Sequence, residues 1–490
     1  MATELRAVSA RTGHDIPVEK PSWEGARPGP FLVVVLVGAA IWLFPRPAGV
    51  DPRAWHLLAI FVATITGVIV QPLPMGAMSV LGMGAALLTG TLRINEALSG
   101  FGNNAVWLVV SAFFIAQSFI KTGLGRRIAF WFMALFGRRT LGLSYAVAAA
   151  DLVLAPVIPS NTARAGGVVF PVLQSMALAA FGPTDKPAAR QTSCFLTLVA
   201  ANADIITSAM FVTAMAGNPL AVELARQQGV VISWGQWALA ASLPGVVSLL
   251  TVPVLIYWLC PPGIRDSPNA QSAARTELTE MGPMRRDEWL LLGILIALLT
   301  AWILGSLIGL DSTAAALGAL ALLLLLGILT WDDVCRNQKA WDTFIWFAAL
   351  VMMATFLGQL GFIKWFSDKV SGAIGQPDWL TGYLALLFAY SYSHYLFAST
   401  TAQISAMFAP FLTVAVALGA PPLLAALTMG FYGNLSGSVT HYATAPGAVL
   451  FGAGYVSIPT WWKVGAVVSL YNFIIWLTIG GIWWKFLGIW

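Results

Sequence analysis

The chain alternates between long apolar runs and short polar interruptions along almost its whole length. A bilayer core of about 30 Å is crossed by roughly 20 helical residues, and apolar runs of this order recur throughout the sequence. Because backbone groups in lipid must be hydrogen-bonded within their own segment, these runs predict membrane-spanning helices. Clear examples are 31–44, 54–70, 103–120, 288–310, 313–330 and 465–484.

Two apolar segments, 141–181 and 379–419, are interrupted in the middle by a polar tripeptide. The tripeptides are Ser160-Asn161-Thr162 and Ser399-Thr400-Thr401. Two full spans fit each segment poorly, because each arm would be short and the turn would have no linker. We therefore predict two re-entrant hairpins whose tips are buried in protein.

A second kind of interruption follows each hairpin. Gly, Asn and Pro stand inside what should be a span in TSAMFVTAMAGNPLA, 207–221, and in GNLSGSVTHYATAPGA, 433–448. Such residues break or bend a helix, so we predict broken helices at about 190–230 and 422–452.

The two halves show the same order of features, which predicts two structural repeats of inverted topology. In each half a long span ends at a glycine, Gly123 or Gly361, and a polar tripeptide follows at nearly the same interval. We therefore predict an all-α polytopic membrane protein of about 11 transmembrane helices plus two re-entrant hairpins. Its predicted parts are a cytoplasmic tail 1–30, an extra first helix 31–48, a first repeat 54–260, a cytoplasmic linker 261–286 and a second repeat 287–487.

Composition and charge narrow the class of protein. Hydrophobic residues make up 58% of the chain and charged residues 10%, against about 25% charged in a typical soluble protein. The net charge of +5 comes from basic residues scattered between apolar runs, which indicates membrane topology and not nucleic-acid binding. Their distribution favours a cytoplasmic N-terminus. Cys194, Cys260 and Cys335 form no short-spaced pair, so no disulfide framework or zinc site is indicated.

The tripeptides at the hairpin tips carry side chains suited to an anion. Ser and Thr cap the free N–H groups at a helix N-terminus, and those N–H groups and the helix dipole attract negative charge. An alternative is that each tripeptide only caps a buried turn. Two copies at matching positions in inverted halves favour an anion-binding site between the tips.

Arg164 places a charge inside the first hairpin. A buried arginine costs roughly 2.5–3.5 kcal/mol on insertion scales, so it marks a site or has a partner. We include Arg164 among the candidate substrate-binding residues. The alternatives are that it reaches the cytoplasmic interface or pairs with Asp151 or Asp204. Asp204 could also be a proton or cation site, although we favour charge balance for Arg164.

Four motifs together resemble the divalent anion/sodium symporter (DASS) family. They are SNTARAGGVVFP, TSAMFVTAMAGNPLA, STTAQISAMFAPF and SVTHYATAPGAVLFGAGYV. The likeness is greatest to the exchanger branch, which includes plastid 2-oxoglutarate/malate translocators and bacterial citrate/succinate and tartrate/succinate antiporters. It implies an elevator-like movement of one domain, a di- or tricarboxylate substrate and a homodimer in the lipid bilayer. We expect a multi-pass protein of a bacterial inner membrane.

The resemblance also implies the site residues, with the tips binding the substrate carboxylates. The candidate substrate-binding residues are Ser160, Asn161, Thr162, Arg164, Thr207, Ser208, Ser399, Thr400, Thr401, Thr440, His441 and Tyr442. The exchangers share the Thr-His-Tyr around His441, which is otherwise open to interpretation as a histidine with only structural hydrogen bonds. His14, His56 and His394 have no comparable context.

Sodium coupling is the main open question of mechanism. Thr400 stands where the family has Asn, and an Asn oxygen ligates sodium better than a Thr hydroxyl. We therefore predict no cofactor and do not favour bound sodium. We expect Arg164 and His441 to replace the coupling ions as buried positive charge, which would make exchange obligatory.

Other functions fit the sequence less well. A membrane-embedded enzyme would need a metal or acid cluster, and the chain has neither a His-Glu-x-x-His motif nor a P-loop. A channel is an alternative, but inverted repeats with broken helices favour alternating access. The sequence therefore predicts a secondary transporter that exchanges di- or tricarboxylates, with a sodium-coupled dicarboxylate or sulfate symporter as the alternative.

Overall fold

The computed structural model describes residues 25–182, 186–374 and 378–490, so most of the predicted tail 1–30 lies outside the described residues. The helices of the first half are α1 Pro28–Leu43, α2 Pro52–Val70, α3 Met75–Leu88, α4 Ile94–Leu98, α5 Asn104–Thr122, α6 Leu124–Phe136, α7 Thr140–Leu154, α8 Phe170–Phe181, α9 Pro187–Met210, α10 Gly217–Gln227 and α11 Trp234–Leu259. Those of the linker and second half are α12 Pro268–Glu280, α13 Arg286–Ile308, α14 Ser312–Leu325, α15 Trp331–Cys335, α16 Gln338–Gln359, α17 Phe362–Ile374, α18 Trp379–Tyr392, α19 Thr400–Ala417, α20 Pro422–Leu435, α21 Ala445–Phe451, α22 Ile458–Ile475 and α23 Gly481–Phe486.

Nine helices of the described residues are long and apolar enough to cross a membrane, and four shorter apolar helices accompany them. The prediction of an all-α polytopic membrane protein is therefore confirmed. The nine include Thr162–Phe181 and Thr400–Ala417, which the sequence assigned to the hairpins. Since length and hydropathy do not separate a hairpin arm from a full span, the division into 11 spans and two hairpins stays a prediction.

The extra first helix is shorter than the predicted range 31–48. α1 ends at Leu43, and Phe44 adopts the extended conformation (ψ 139°) because the next residue is a proline. The following helix, α2, begins where Asp51 accepts hydrogen bonds from the N–H groups of Arg53 and Ala54. α1 packs along α2.

The long helices α5 and α16 are followed by the same local geometry. Gly123 and Gly361 have φ values of 82° and 83°, a left-handed conformation that suits glycine because it has no Cβ. Each glycine leads directly into an amphipathic helix, α6 or α17. The halves therefore match in backbone geometry at two positions that the sequence had aligned.

The linker between the halves contains a helix that apolar periodicity did not indicate. Ala270 and Ala274 of α12 are buried, and α12 packs against α6 and α8. Arg126 Nη2 donates to Glu277 Oε2 at 2.7 Å across this contact. The linker is thus folded against the first half of the chain.

The buried apolar side chains of the described residues include a small cluster that is separate from the main core. It joins α2, α3 and α16 through residues such as Leu57, Ala86 and Met353. A cavity of about 770 Å³ is lined by residues of α2, α10, α16, α17 and α19. Packing is therefore loose where α2 and α16 face the second hairpin segment.

Candidate functional site

The first polar tripeptide, which we call the first tip, lies at an irregular helix start. α7 ends at Leu154, and a π-helical segment, Thr162–Val169, precedes α8. Ser160 Oγ accepts a hydrogen bond from the Ala163 N–H at 3.2 Å, and Asn161 Oδ1 accepts one from the Thr162 N–H at 3.0 Å. π-Helical turns are rare and frequent at functional sites.

The second tip, Ser399-Thr400-Thr401, begins α19. Ser399 Oγ accepts a hydrogen bond from the Ala402 N–H at 3.3 Å, and Thr400 Oγ1 donates to Met215 Sδ at 3.6 Å. The Thr401 hydroxyl is half-buried and has no hydrogen bond within the described parts of the chain. Both tips are helix starts with a serine cap, so the capping alternative is satisfied, and carboxylate binding by the tips stays a prediction.

Both predicted broken helices are interrupted. The first break, residues 211–216, separates α9 from α10, and the second break, residues 436–444, separates α20 from α21. Asn218 Nδ2 donates to the carbonyls of Ser208 at 2.7 Å and Phe211 at 2.8 Å, which the break leaves without helical partners. Asn434 Nδ2 donates to Asn218 Oδ1 at 2.7 Å. A buried amide pair therefore joins the two broken helices.

Each tip packs against the broken helix of the other half. A Cβ on Gly217, at the end of the first break, would lie 3.7 Å from Thr401 Cα. A Cβ on Gly166, just beyond the first tip, would lie 3.1 Å from Val449 Cγ1 of α21. These close approaches bring the four interruptions of the sequence into one region.

Arg164 is fully buried and bonded on several sides. Its Nε donates to Asp151 Oδ1 at 2.9 Å, and its Nη2 donates to Asp204 Oδ1 at 2.8 Å. Nη2 also donates to the hydroxyls of Ser208 at 2.8 Å and Thr207 at 3.3 Å, and Thr207 donates to Asp151. Of the alternatives for Arg164, the structure has it paired, with both aspartates, and not extended to the interface.

The remaining guanidinium nitrogen of Arg164 ties the first hairpin segment to the first break. Nη1 donates to Ile158 O at 3.2 Å and to Ala214 O at 2.9 Å. A substrate carboxylate would have to displace one of these partners to reach the guanidinium. In this conformation Arg164 positions the tip, and direct substrate binding by Arg164, Thr207 and Ser208 stays a prediction.

The cluster around Arg164 has more negative than positive formal charge. One guanidinium faces the carboxylates of Asp151 and Asp204, so Arg164 is not the unpaired positive charge that the coupling hypothesis required. That part of the hypothesis is wrong for this conformation. Asp204 Oδ2 is buried and has no hydrogen-bond partner among the described residues.

His394, which had no functional context in the sequence, lies at the corresponding place in the second half. It is fully buried, with Nδ1 2.6 Å from Gln403 Oε1 and Nε2 3.0 Å from Ala443 O. Gln403 Nε2 donates to Tyr390 O at 2.7 Å, which fixes the amide so that its oxygen faces the ring. Both ring nitrogens therefore face acceptors, and the ring joins Gln403 of α19 to the second break.

A sequence signal for His394 existed in the repeat alignment. Gln403 follows Ser399 at the interval at which Arg164 follows Ser160. Arg164 has a partner, Asp151, on the segment before its tip, and the matching Gln403 has one on the segment before the second tip. His394 is that partner of Gln403, which the sequence did not identify because the intervals to the partners differ.

The other predicted residues of the second break have separate surroundings. Half-buried His441 accepts a hydrogen bond from Trp462 Nε1 at 3.2 Å and packs on Phe451. The Tyr442 hydroxyl donates to Tyr395 O at 3.2 Å. Thr440 Oγ1 is buried and has no partner among the residues described. Their role in substrate binding stays a prediction.

Known proteins resemble this chain along nearly its whole length. The family described as "Sodium:sulfate symporter transmembrane region" matches residues 28–490. YflS of Bacillus subtilis, whose name proposes malate transport, is 50% identical over 462 residues, which are 94% of this chain and 97% of that protein. The chloroplastic Dicarboxylate transporter 1 of Spinacia oleracea is 45% identical over 96% of this chain and 83% of its own length. Inner membrane protein YbhI of Escherichia coli is 37% identical over 94% of this chain and 98% of its own length.

A solved structure shares the fold at low sequence identity. The YdaH transporter of Alcanivorax borkumensis, described as having an unusual topology, matches 93% of this chain and 96% of its own with a TM-score of 0.50 and 15% identity. Since relatives of high coverage are transporters, the prediction of a transporter and not an enzyme is confirmed. The chain belongs to the divalent anion/sodium symporter family and is a multi-pass membrane transporter.

Proposed function

We propose that this protein exchanges di- or tricarboxylate anions across the membrane as a secondary active transporter. The observation that carries the proposal is the packing of two serine-capped helix starts against two broken helices from opposite halves of the chain. Hydroxyls and N–H groups at helix N-termini bind carboxylates well. The names of YflS and the chloroplast dicarboxylate transporters support the same substrate class.

The proposed substrate site is centred on the two tips. Thr401 and Thr440 support it because their hydroxyls are free within the described residues. The first tip contributes Asn161, whose Nδ2 is uncommitted while its oxygen caps Thr162. A carboxylate that binds here accepts hydrogen bonds without breaking any that the structure already has.

The exchange mode rests on positive charge supplied by the protein. A dicarboxylate in a site of low dielectric needs cationic compensation. The N–H groups and the helix dipoles at the two tips supply partial positive charge to this site. An empty carrier would hold this charge unbalanced, which disfavours its return across the membrane and links outward to inward transport.

The proposed movement is an elevator-like shift of the tips and broken helices against α2, α3 and α16. The separate cluster around Leu57 and Met353 and the 770 Å³ cavity beside it support a boundary at this place. The proposal keeps the cytoplasmic N-terminus from the distribution of basic residues and the homodimer from the family resemblance.

The test is uptake of labelled succinate, malate, 2-oxoglutarate, citrate or tartrate into proteoliposomes. We expect rapid uptake only when unlabelled dicarboxylate is inside, equally in sodium and in choline buffer. Uptake that ignores internal substrate and requires a sodium gradient would reject exchange. Absence of uptake of every di- and tricarboxylate, with sulfate transported instead, would reject the substrate class.

Sodium-coupled symport is the second candidate, and one observation favours it. The Arg164 cluster has two carboxylates for one guanidinium, and Asp204 Oδ2 has no hydrogen-bond partner among the described residues. An excess buried carboxylate attracts a cation. Under this alternative, sodium-independent exchange is absent from the wild type and from Asp204→Asn. The Asp204→Asn variant also loses the sodium dependence of uptake.

A further inference from the structure

A second, smaller cavity opens onto the first tip. Its volume is about 200 Å³, and its lining includes Ser160 of the tip, Gln117 of α5, and Asn337 and Lys339 at the start of α16. The larger cavity lies at the other end of α16 and reaches Ser405 of α19 but not the second tip. Of these two cavities, the smaller one therefore leads to a tip in this conformation.

Lys339 brings uncommitted positive charge to this cavity. It is exposed and has no ion pair or hydrogen bond within the described residues. The basic residues nearby are already paired: Lys121 with Asp333 at 2.5 Å, and Arg336 with Asp332 at 3.0 Å. Donation from Lys121 and from Thr330 lowers the pKa of Asp333 to about 2, so this carboxylate stays ionised and paired with Lys121.

Asn337 fixes the start of α16, the helix that carries Lys339, and Gln117 has free amide donors. Asn337 Oδ1 accepts a hydrogen bond from the Ala340 N–H at 3.1 Å, and its Nδ2 donates to Phe113 O at 3.3 Å. Asn337 thus starts α16 and anchors it to α5, with Lys339 two residues further on. Half-buried Gln117 has no side-chain hydrogen bond to the described residues.

We propose that Lys339 and Gln117 form an entrance site that captures the carboxylate substrate before it reaches Ser160 at the first tip. The inference rests on the proposed function. An unpaired cation beside a narrow cavity raises the local concentration of anions, and the effect is screened by salt. Gln117 adds amide N–H donors to the lining of the same cavity. The site acts on the membrane face to which the first hairpin opens, which the proposed topology makes cytoplasmic.

The first experiment compares exchange by Lys339→Gln, Lys339→Arg and a control, Lys186→Gln, in proteoliposomes of known orientation. Lys186 is an exposed lysine at the start of α9 that does not line the cavity. We expect Lys339→Gln to raise the KM for a dicarboxylate about two- to fivefold at one membrane face in low salt, with little effect in high salt. Lys339→Arg and Lys186→Gln should resemble the wild type.

The second experiment measures occupancy of the entrance. Lys339→Cys is made in a background with Cys194, Cys260 and Cys335 changed to serine, and labelling by an impermeant cationic thiol reagent is timed with and without succinate. We expect succinate to slow the labelling. An unchanged KM for Lys339→Gln at both faces, an equal rise in Lys186→Gln, or labelling indifferent to succinate would overturn the entrance site. If the wild type exchanges no dicarboxylate, the proposed function itself fails. If the wild type exchanges normally and Lys339→Gln has an unchanged KM, only the entrance site fails.

Discussion

His394 Nδ1 lies 2.6 Å from Gln403 Oε1, at the place in the second half where Arg164 meets Asp151 in the first. In the first half the basic side chain, Arg164, follows the tip, and in the second half the basic side chain, His394, precedes it. Arg164 reaches the first break through Ala214 O, and His394 reaches the second break through Ala443 O. Each hairpin segment is thus bonded to the break of its own half.

Loss of His394 should be more damaging than loss of His441. His394→Ala leaves Gln403 Oε1 and Ala443 O buried without the ring that they contact, and a buried acceptor without a donor costs about 1–3 kcal/mol. His441 is half-buried and gives up one hydrogen bond from Trp462. We expect a lower melting temperature in detergent and loss of exchange for His394→Ala, and near-normal folding for His441→Ala. Equal melting temperatures would contradict the importance of the His394 contacts.

The two aspartates beside Arg164 should respond differently to neutralisation. Asp151 accepts hydrogen bonds through both oxygens, from Arg164 and from Thr207, whereas Asp204 Oδ2 has none within the described residues. An asparagine at 204 can keep its oxygen on Arg164. At 151 both oxygens already accept hydrogen bonds, so an asparagine there removes one acceptor, and breaking a buried pair costs about 3–5 kcal/mol. Thermal unfolding should show Asp151→Asn as the less stable variant, and the reverse order would refute this assignment.

Thr401→Ala should weaken substrate binding without unfolding the protein. The Thr401 hydroxyl has no hydrogen bond within the described residues, so its removal costs the empty carrier little. A lost hydrogen bond to a carboxylate is worth about 1.5–3 kcal/mol, or about ten- to a hundredfold in affinity. Binding measured by calorimetry or by KM for exchange checks this. Thr300→Ala is the control, because Thr300 bonds only to Ile296 O of its own helix at 2.7 Å; wild-type affinity in Thr401→Ala would remove Thr401 from the site.

Gly465→Ala should displace the second break. A Cβ at Gly465 of α22 would lie 2.1 Å from the backbone oxygen of Ser438, so the backbone of one segment must shift. We expect reduced exchange with retained membrane insertion. Gly293→Ala in α13 is the control, since a Cβ there has no neighbour within 4 Å. Exchange activity equal in the two variants would show that α22 does not hold the break in place.

The class of fold and the positions where its helices are interrupted follow from local rules of sequence. Apolar runs must be helical in lipid, and Gly, Pro and clustered hydroxyls interrupt such helices. Both effects depend only on residues that are close together in the chain. The breaks at 211–216 and 436–444 and the helix start at Ser399 follow from such local rules. The match between the two halves also predicted equivalent positions for Gly123 and Gly361, which share a positive φ.

The pairing of buried polar groups depends instead on how distant segments pack. Arg164 contacts Asp204, 40 residues away, because α9 packs beside the first hairpin segment, and that packing depends on shapes along several helices. The same holds for Cys194 and Cys260, which form no sequence motif yet lie 3.5 Å apart. His394 became a partner of Gln403 through the turn before α19. A buried polar group must find a partner wherever packing provides one, so its partner is a property of the fold and not of the local sequence.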